Sequence, residues 1–325
     1  MKIMRGYVCV LLMILFFKNV NAQNDTLVNK LDSLNRKTDT TGSQTNIINP
    51  HAYTENTRIS FPAYFILLGN DFKQQVTAPF HQTSKEWLRI GVYCASVATI
   101  SAVADEPVQR FAVKVHDSSK AVSAVSSYVT KFGGRYEVYT LAALGGYGFI
   151  FNNKKMQTTT LLATQAYITS GLIETILKTI SGRQRPSYYN PNHPESEPYF
   201  HGPFFKKGVD VSGHAINSSF PSGHTTVIFA AATVFAKEYK NTPWVPPLAY
   251  GAATLVGLSR ITENKHWTTD VIVGSTLGYL CGRQVVNNYH RYAKLKAPNK
   301  SGTLSFNLNY NGYNFEPGFV YTFRN

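Results

Sequence analysis

Three short stretches of the sequence carry residue types that can bind a phosphate and move a proton. In chain order they are Lys178 with Arg185-Pro186, then Pro221-Ser222-Gly223-His224, then Ser259-Arg260 followed by His266 and Asp270. The set contains three cations, a serine beside a glycine, and two histidines. Fixed cations stabilise a tetrahedral oxyanion, and a histidine transfers a proton near neutral pH. The combination predicts a phosphate-ester hydrolase.

The first stretch lies at the end of an apolar helix predicted over residues 158–180. Glu174 and Lys178 are four residues apart and can pair on one helix face. Gly182 is a typical helix stop, so Lys178 and Arg185 are expected at one end of the protein. A basic helix terminus that only complements the helix dipole would explain either cation alone.

The second stretch opens an apolar helix predicted over residues 224–237. Unpaired N–H groups at a helix start bind phosphate, and Gly223 allows a close backbone approach. Ser222 could bond the same oxygens, although an ordinary serine N-cap explains it equally well. Ser212-Gly213-His214 lacks both the preceding proline and the following helix, so it is predicted to be loop.

The third stretch closes one helix with Ser259-Arg260 and opens the next with His266 to Asp270. Because His266 and Asp270 are four residues apart, the carboxylate is predicted to accept the imidazole N–H and fix its tautomer. An oriented neutral imidazole is a competent nucleophile. A histidine–aspartate pair that only caps a helix is the alternative, but Arg260 and the other two stretches favour chemistry.

The chain is predicted to divide into four parts: a signal peptide over residues 1–22, a flexible leader over 23–58, a helical domain over 59–296 and a β-hairpin tail over 297–325. The signal has a positive start, a short apolar stretch and a small-residue cleavage site at Val20-Asn21-Ala22. A retained membrane anchor is the alternative. Cleavage would leave Cys94 and Cys281, which are predicted to be buried thiols.

Periodicity and caps predict the remaining helices. A capping-box spacing over Thr83 to Glu86 predicts the first clear helix, over residues 87–103. An amphipathic helix is predicted over 106–131, and apolar helices over 137–150, 246–258 and 269–286. In the tail, alternating apolar residues flank Asn311-Gly312, which predicts a terminal β-hairpin.

Composition limits the classes of partner. The chain has 325 residues, of which 43% are hydrophobic and 15% are charged, so it can bury a large core. Its formal net charge is +14, but the sequence contains no Lys/Arg run of the kind that binds nucleic acid. A phosphorylated lipid or small phosphate ester, and a membrane surface, are therefore the predicted partners, and nucleic acid is not. The sequence leaves open whether the chain has protein partners.

The ordered pattern Lys-x6-Arg-Pro, Pro-Ser-Gly-His, Ser-Arg-x5-His-x3-Asp resembles that of the type 2 phosphatidic acid phosphatases and the vanadium-dependent haloperoxidases. The resemblance covers about residues 84–290, and 34 residues separate each stretch from the next. It implies an all-α fold, a helical bundle of the type 2 phosphatidic acid phosphatase kind. It also implies that the phosphate is bound by Lys178, Arg185, Ser222, Gly223 and Arg260.

The same resemblance implies roles for the remaining site residues. His266 would be the nucleophile that forms a phosphohistidine, Asp270 its partner, and His224 the general acid for the leaving alcohol. No metal and no cofactor would be required. Vanadate would be bound only if the chain were a haloperoxidase.

The leading functional hypothesis is a phosphatase of lipid-linked phosphate or pyrophosphate monoesters, such as phosphatidate, a polyprenyl diphosphate or lipid A. A broad-specificity periplasmic acid phosphatase and a vanadium haloperoxidase are enzymatic alternatives. A binding or structural protein that retains the fold without turnover is the non-enzymatic one. The aromatic loop over residues 187–220 joins two motif-bearing ends, so it is predicted to lie over or beside the site.

The signal predicts export to the periplasm. If every apolar helix crossed a membrane after a cleaved signal, the motif-bearing ends would face the cytoplasm. Basic residues such as Lys154-Lys155 and Arg283 would then face outwards, against the positive-inside tendency. The sequence therefore favours a periplasmic, membrane-associated bundle, with an integral membrane protein as the alternative.

Overall fold

The computed structural model describes residues 59–188, 198–203 and 215–296, together with the backbone of two strands at 303–310 and 315–322. The predicted signal peptide and leader lie outside these residues. The helices are α1 Phe61–Thr77, α2 Ser84–Val103, α3 Asp105–Ser118, α4 Lys120–Val129, α5 Arg135–Ile150, α6 Lys154–Ser181, α7 Gly223–Glu238, α8 Val245–Thr262 and α9 Thr268–Lys296. The prediction of an all-α bundle is confirmed for this helical part.

The first helix, α1, lies before residue 87, where the sequence predicts the first clear helix to begin. Ser60 caps it, since its Oγ accepts a hydrogen bond from Ala63 N at 3.4 Å, and Pro62 occupies the first turn. Serine before a helix and proline in its first turn are start signals, so α1 could have been found. Its buried residues Ala63 and Leu67 join the core.

The predicted capping box of α2 is confirmed. Thr83 Oγ1 accepts from Glu86 N at 3.4 Å, and Thr83 N donates to Glu86 Oε2 at 2.7 Å. The single helix predicted over residues 106–131 is wrong. The chain breaks at Ser119, which has an extended backbone and whose Oγ caps α4 by accepting from Val122 N. A 3₁₀ turn, Thr130–Gly133, follows α4 and will be called the 130–133 turn.

The core lies where α1, α5, α6, α7 and α9 meet, and small residues let these helices approach closely. Ala163, Ala166 and Ala230 are fully buried there. Three glycines on α9 face α7 at intervals of four residues. A Cβ atom on Gly274 would lie 2.8 Å from Ser222 O, and one on Gly278 or Gly282 would overlap a backbone oxygen of α7. The contact therefore has no room for side chains at these three positions.

The outer faces of the bundle are rich in exposed apolar side chains. On α6 they form a stripe with a four-residue spacing, Ile168, Leu172, Ile176 and Ile180, and further groups lie on α5 and α8. Among the described helices, none is by itself long and apolar enough to cross a bilayer. The pair α2 and α3, which meet at a 56° bend, satisfies that test only when the two are taken together.

Strands β1 Thr303–Tyr310 and β2 Phe315–Thr322 follow α9 and pair antiparallel, with Thr303 opposite Thr322. The predicted Asn311-Gly312 turn falls outside the described residues and stays a prediction. Cys281 is buried as predicted, whereas Cys94 is only half-buried, and neither forms a disulfide. The last helix, predicted to end at 286, continues to Lys296.

Candidate active site

The first stretch lies at the end of α6, as predicted. Gly182 adopts a left-handed conformation with φ of +54°, and its N–H donates to Lys178 O at 3.1 Å. The predicted ion pair between Lys178 Nζ and Glu174 Oε1 is present. Arg185 reaches towards both other stretches: its Nε donates to Ser218 Oγ at 3.2 Å and its Nη1 to Lys265 O at 3.3 Å.

The second stretch opens α7, with Ser222 as the N-cap residue. Ser222 is fully buried, its Oγ accepts from Thr225 Oγ1 at 2.9 Å, and its N–H donates to Asp270 O at 3.0 Å. A Cβ atom on Gly223 would lie 2.7 Å from Glu174 Oε1 and 3.2 Å from Lys178 Nζ. The glycine is therefore what allows the start of α7 to approach Lys178 this closely.

His224 lies against the 130–133 turn and the glycine that follows it. A Cβ atom on Gly133 would be 2.7 Å from His224 Cβ, and one on Gly134 would be 3.4 Å from His224 Nε2. Thr130 Oγ1, in the same turn, accepts from Arg260 Nη1 at 2.5 Å. The turn thus contacts two site residues, and the sequence reading missed it. The adjacent glycines were the available signal.

The predicted hydrogen bond between His266 and Asp270 is wrong in its acceptor. Nδ1 of His266 lies 2.7 Å from the backbone oxygen of Ser219 and 3.6 Å from Asp270 Oδ2. A carbonyl oxygen only accepts hydrogen bonds, so Nδ1 carries the proton and Nε2 keeps its lone pair. The tautomer is therefore fixed by the Ser219 carbonyl and not, as the sequence had predicted, by the Asp270 carboxylate. Asp270 turns away because other donors occupy it.

Those donors to Asp270 come from three places. Its Oδ2 accepts from Ser219 Oγ at 2.5 Å and from Trp267 N at 2.9 Å. Its Oδ1 accepts from Arg183 Nη1 at 2.5 Å. Arg183 is fully buried and also pairs with Asp105 at the start of α3. Arg183 and Asp105 were not among the predicted site residues, since nothing in local spacing joins positions this far apart.

The electrostatics of the site favour a neutral imidazole at His266 among cations. Burial, followed by the charges of Arg185 and Arg260, lowers the pKa of His266 well below its usual value. Burial also lowers the pKa of Lys178, which the Glu174 carboxylate partly offsets by raising it. For Arg260, burial and the charge of Arg185 lower the pKa to about 10, which leaves the guanidinium charged at neutral pH.

The structure brings the predicted site residues of all three stretches together at one end of the bundle. They are Lys178, Arg185, Ser222, Gly223, His224, Arg260, His266 and Asp270. Within the part of the chain that is described, no group of three or more His, Cys, Asp or Glu side chains is placed to hold a metal ion. The individual roles assigned to these residues, and the prediction that no metal is required, stay predictions.

The loop over residues 187–220 is described only in part. Its segment 198–203 runs beside the first stretch, where Gln184 N donates to Tyr199 O at 2.8 Å. The Phe200 ring lies 4.8 Å from the Arg183 guanidinium carbon. Residues 189–197 and 204–214, including Ser212-Gly213-His214, lie outside the described residues, so the predictions for these parts of the loop stay predictions.

Fold and site together define a helical protein with three cationic side chains clustered at one end of the bundle. Residues 159–294 match the sequence model of the PAP2 superfamily. Lipid A 1-phosphatase of Porphyromonas gingivalis is 46% identical over 71 residues, 22% of this chain and 16% of that protein. Lipid phosphate phosphatase 1 of Arabidopsis thaliana is 32% identical over 168 residues, 42% of this chain and 49% of that protein.

Among solved structures, LpxE of Aquifex aeolicus is 20% identical, with a TM-score of 0.42, covering 56% of this chain and 94% of that chain. The region that carries the three stretches therefore matches the PAP2 superfamily model, in agreement with the family that the motifs resemble. The chain spans 16% and 49% of the lengths of the first two curated relatives.

Proposed function

We propose that this protein is a phosphatase that hydrolyses lipid-linked phosphate or pyrophosphate monoesters through a phosphohistidine on His266. One observation carries the proposal: the Nδ1–H of His266 donates to Ser219 O, which leaves the Nε2 lone pair available among three cations. The curated relatives, named as a lipid A 1-phosphatase and a lipid phosphate phosphatase, support the reaction class and the lipid character of the substrate.

In the first step, Nε2 of His266 attacks phosphorus and the bond to the leaving oxygen breaks. His224 donates a proton to that oxygen, which departs as an alcohol or as the shortened phosphate. Lys178, Arg185 and Arg260 stabilise the charge on the three remaining oxygens, together with the first N–H groups of α7. These groups are fixed before substrate arrives, because contacts with Glu174, Ser218 and Thr130 already hold the three cations.

In the second step, water attacks the phosphohistidine. His224, now neutral, accepts the proton of that water, and the bond between phosphorus and Nε2 breaks to release phosphate. The proton on Nδ1 stays with Ser219 O throughout, so His266 returns to its starting tautomer. No step is assigned to a metal ion.

We further propose that the enzyme acts at a membrane surface after export. The exposed apolar stripe of α6 and the apolar residues on α5 and α8 support contact with lipid, and the net charge of +14 supports an anionic one. The β-hairpin tail is proposed to pack on the bundle or to pair with a partner strand.

The direct test is phosphate release by the purified full chain without added metal and with a chelator present. Phosphatidate, a polyprenyl diphosphate, a lipid A phosphate and a small aryl phosphate are compared in parallel. The proposal expects release from at least one lipid, abolished by His266→Ala and not by His81→Ala, an exposed histidine on the surface. Preference for the aryl phosphate would favour a general acid phosphatase instead.

The intermediate has its own test. Rapid acid-free quenching of the wild-type chain with phosphate-labelled lipid is expected to trap label on the protein, in an acid-labile and alkali-stable form, and His266→Ala is expected to trap none. His224→Ala should slow both steps, because His224 is the acid of the first and the base of the second, and each role contributes on the order of 10² to 10⁴ in rate. Turnover at the wild-type rate without labelled protein would contradict the covalent route.

A further inference from the structure

Arg183 joins two carboxylates that are far apart in the sequence. Its Nη2 donates to Asp105 Oδ2 and its Nη1 to Asp270 Oδ1, both at 2.5 Å. All three side chains are fully buried. Two carboxylates share one guanidinium, so the cluster carries one negative charge in excess.

The cluster is held by hydrogen bonds from two further elements. Ser101 Oγ, in the last turn of α2, donates to Asp105 Oδ2 and accepts from Arg183 Nη2, both at 2.9 Å. At the start of α9, Thr269 N and Thr269 Oγ1 donate to Asp105 at 2.9 and 2.6 Å. The corner between α2 and α3 is thereby fixed to the first turn of the helix that carries Asp270. The geometry of Asp270 therefore depends on Asp105.

Asp270 in turn fixes His266 from two sides. Its Oδ2 binds the hydroxyl of Ser219, whose carbonyl oxygen accepts the Nδ1–H of His266. The same Oδ2 binds the backbone N–H of Trp267, the residue that follows the histidine. A second contact reinforces the first, since Ser219 N donates to Arg183 O at 2.9 Å. Movement of Asp270 would therefore move both the acceptor and the backbone of His266.

We infer that Asp105 and Arg183 are positioning residues for His266, acting through Asp270; this rests on the proposed role of His266 as nucleophile. Neither residue reaches the phosphate in this arrangement, because the guanidinium is occupied by the two carboxylates. The one negative charge in excess on the cluster of Asp105, Arg183 and Asp270 also stabilises the positive charge that the imidazole gains when Nε2 bonds to phosphorus. Both effects act on the chemical step rather than on substrate binding.

A double-mutant cycle on the full chain tests the inference. Asp105→Asn is expected to lower kcat by about tenfold or more, while KM changes by less than about threefold. Placed in an Asp270→Asn background, the same substitution is expected to change kcat by less than about twofold, because its route to His266 is already lost. Asp117→Asn, an exposed aspartate on the same helix, is the matched control and should leave kcat unchanged.

An equal fall in kcat from Asp105→Asn in the wild-type and Asp270→Asn backgrounds would overturn the inference. A rise in KM without a fall in kcat would overturn it too. If Asp105→Asn does not fold, Ser101→Ala replaces it in the cycle, since it removes two hydrogen bonds of the cluster and no charge. Its expected loss is about threefold in kcat, again absent when Asp270 is substituted. Additive losses would contradict the inference here too.

A measurement without substrate separates this inference from the proposed function. In chain labelled with ¹⁵N-histidine, the ring nitrogens of His266 should report a protonated Nδ1 and an unprotonated Nε2. Asp105→Asn is expected to mix the two tautomers, whereas Asp117→Asn is not. If the wild-type chain releases no phosphate, the proposed function fails, and these signals alone decide: a change supports positioning and unchanged signals overturn it.

Discussion

His266 is buried as a neutral base, and its burial destabilises the folded chain when the pH falls. Burial and the neighbouring cations lower its pKa in the folded chain, whereas the unfolded chain keeps a value near 6.5. Between these two values the unfolded chain binds more protons than the folded one. The free energy of unfolding should therefore decrease as pH falls below about 6.5, by up to about 1.4 kcal/mol per pH unit from this group.

Denaturant unfolding of the wild type and of His266→Gln, measured between pH 8 and pH 5, checks this prediction. The difference in unfolding free energy between the two should shrink as the pH falls, because only the wild type carries the buried imidazole. His81→Gln, at an exposed position, should run parallel to the wild type. Parallel curves for all three proteins would show that His266 titrates normally.

Glu174 keeps Lys178 charged in a place that disfavours charge. Burial lowers the pKa of Lys178, and the Glu174 carboxylate raises it. Glu174→Gln removes the raising influence, so the lysine should lose its proton at a lower pH. The alkaline limb of kcat/KM is expected to move to lower pH, while Glu106→Gln, which breaks an exposed pair with Arg110, should leave it in place. An unmoved limb in Glu174→Gln would contradict a role for charged Lys178.

The residues of the three motif stretches were predictable because their types and spacing carry the chemistry. The acceptor of the His266 N–H was not, since a backbone carbonyl such as that of Ser219 has no sequence signature. The role of Asp105 could not be predicted either, because its burial with Arg183 depends on a tertiary contact between residues 78 positions apart. A buried ion pair can be recognised only after both partners have been placed.

At the scale of elements, the contact between α7 and α9 depends on glycines that leave no space for a methyl group. Gly278→Ala is expected to push α9 away from α7 and to cost about 1–3 kcal/mol of unfolding free energy, together with activity. Gly251→Ala on α8 is the matched control, because nothing lies within 4 Å of its added Cβ. That control should be neutral or stabilising by up to about 1 kcal/mol.

Thermal or denaturant unfolding of the two variants, with kcat measured in parallel, distinguishes them. Equal stabilities would mean that α9 can shift without penalty. Loss of stability in Gly278→Ala without loss of activity would separate the helix contact from the geometry of Ser222, whose backbone oxygen lies against Gly274.

Helix ends with local signals were predicted well, and those without them were not. The capping box of α2 and the Gly182 stop depend on neighbouring residues, so the sequence specifies them directly. The break at Ser119 was missed because apolar spacing continues across it, and only the cap of α4 marks it. Helical periodicity therefore identifies the faces of α3 and α4 more reliably than the point where one helix becomes two.

At the scale of the whole molecule, the apolar outer faces predict binding to lipid. The purified chain is expected to float with anionic vesicles in a density gradient. Ile168→Gln combined with Leu172→Gln, which interrupts the α6 stripe, should weaken that binding by about tenfold or more, since burying each such side chain contributes about 1.5–3 kcal/mol. Thr254→Gln, an exposed polar position on α8, is the control. A chain that stays at the bottom of the gradient would contradict the proposal.

The ion pairs around Arg183 also set an order of events during synthesis. Asp105 leaves the ribosome 78 residues before Arg183 and about twice that far before Thr269. Its carboxylate therefore lacks both of these hydrogen-bond donors while the intervening chain is being synthesised. Long-range contacts of this kind slow folding and leave incomplete chains open to aggregation. Formation of the site therefore depends on the emergence of α9, and His266 takes its final position among the last parts of the protein to form.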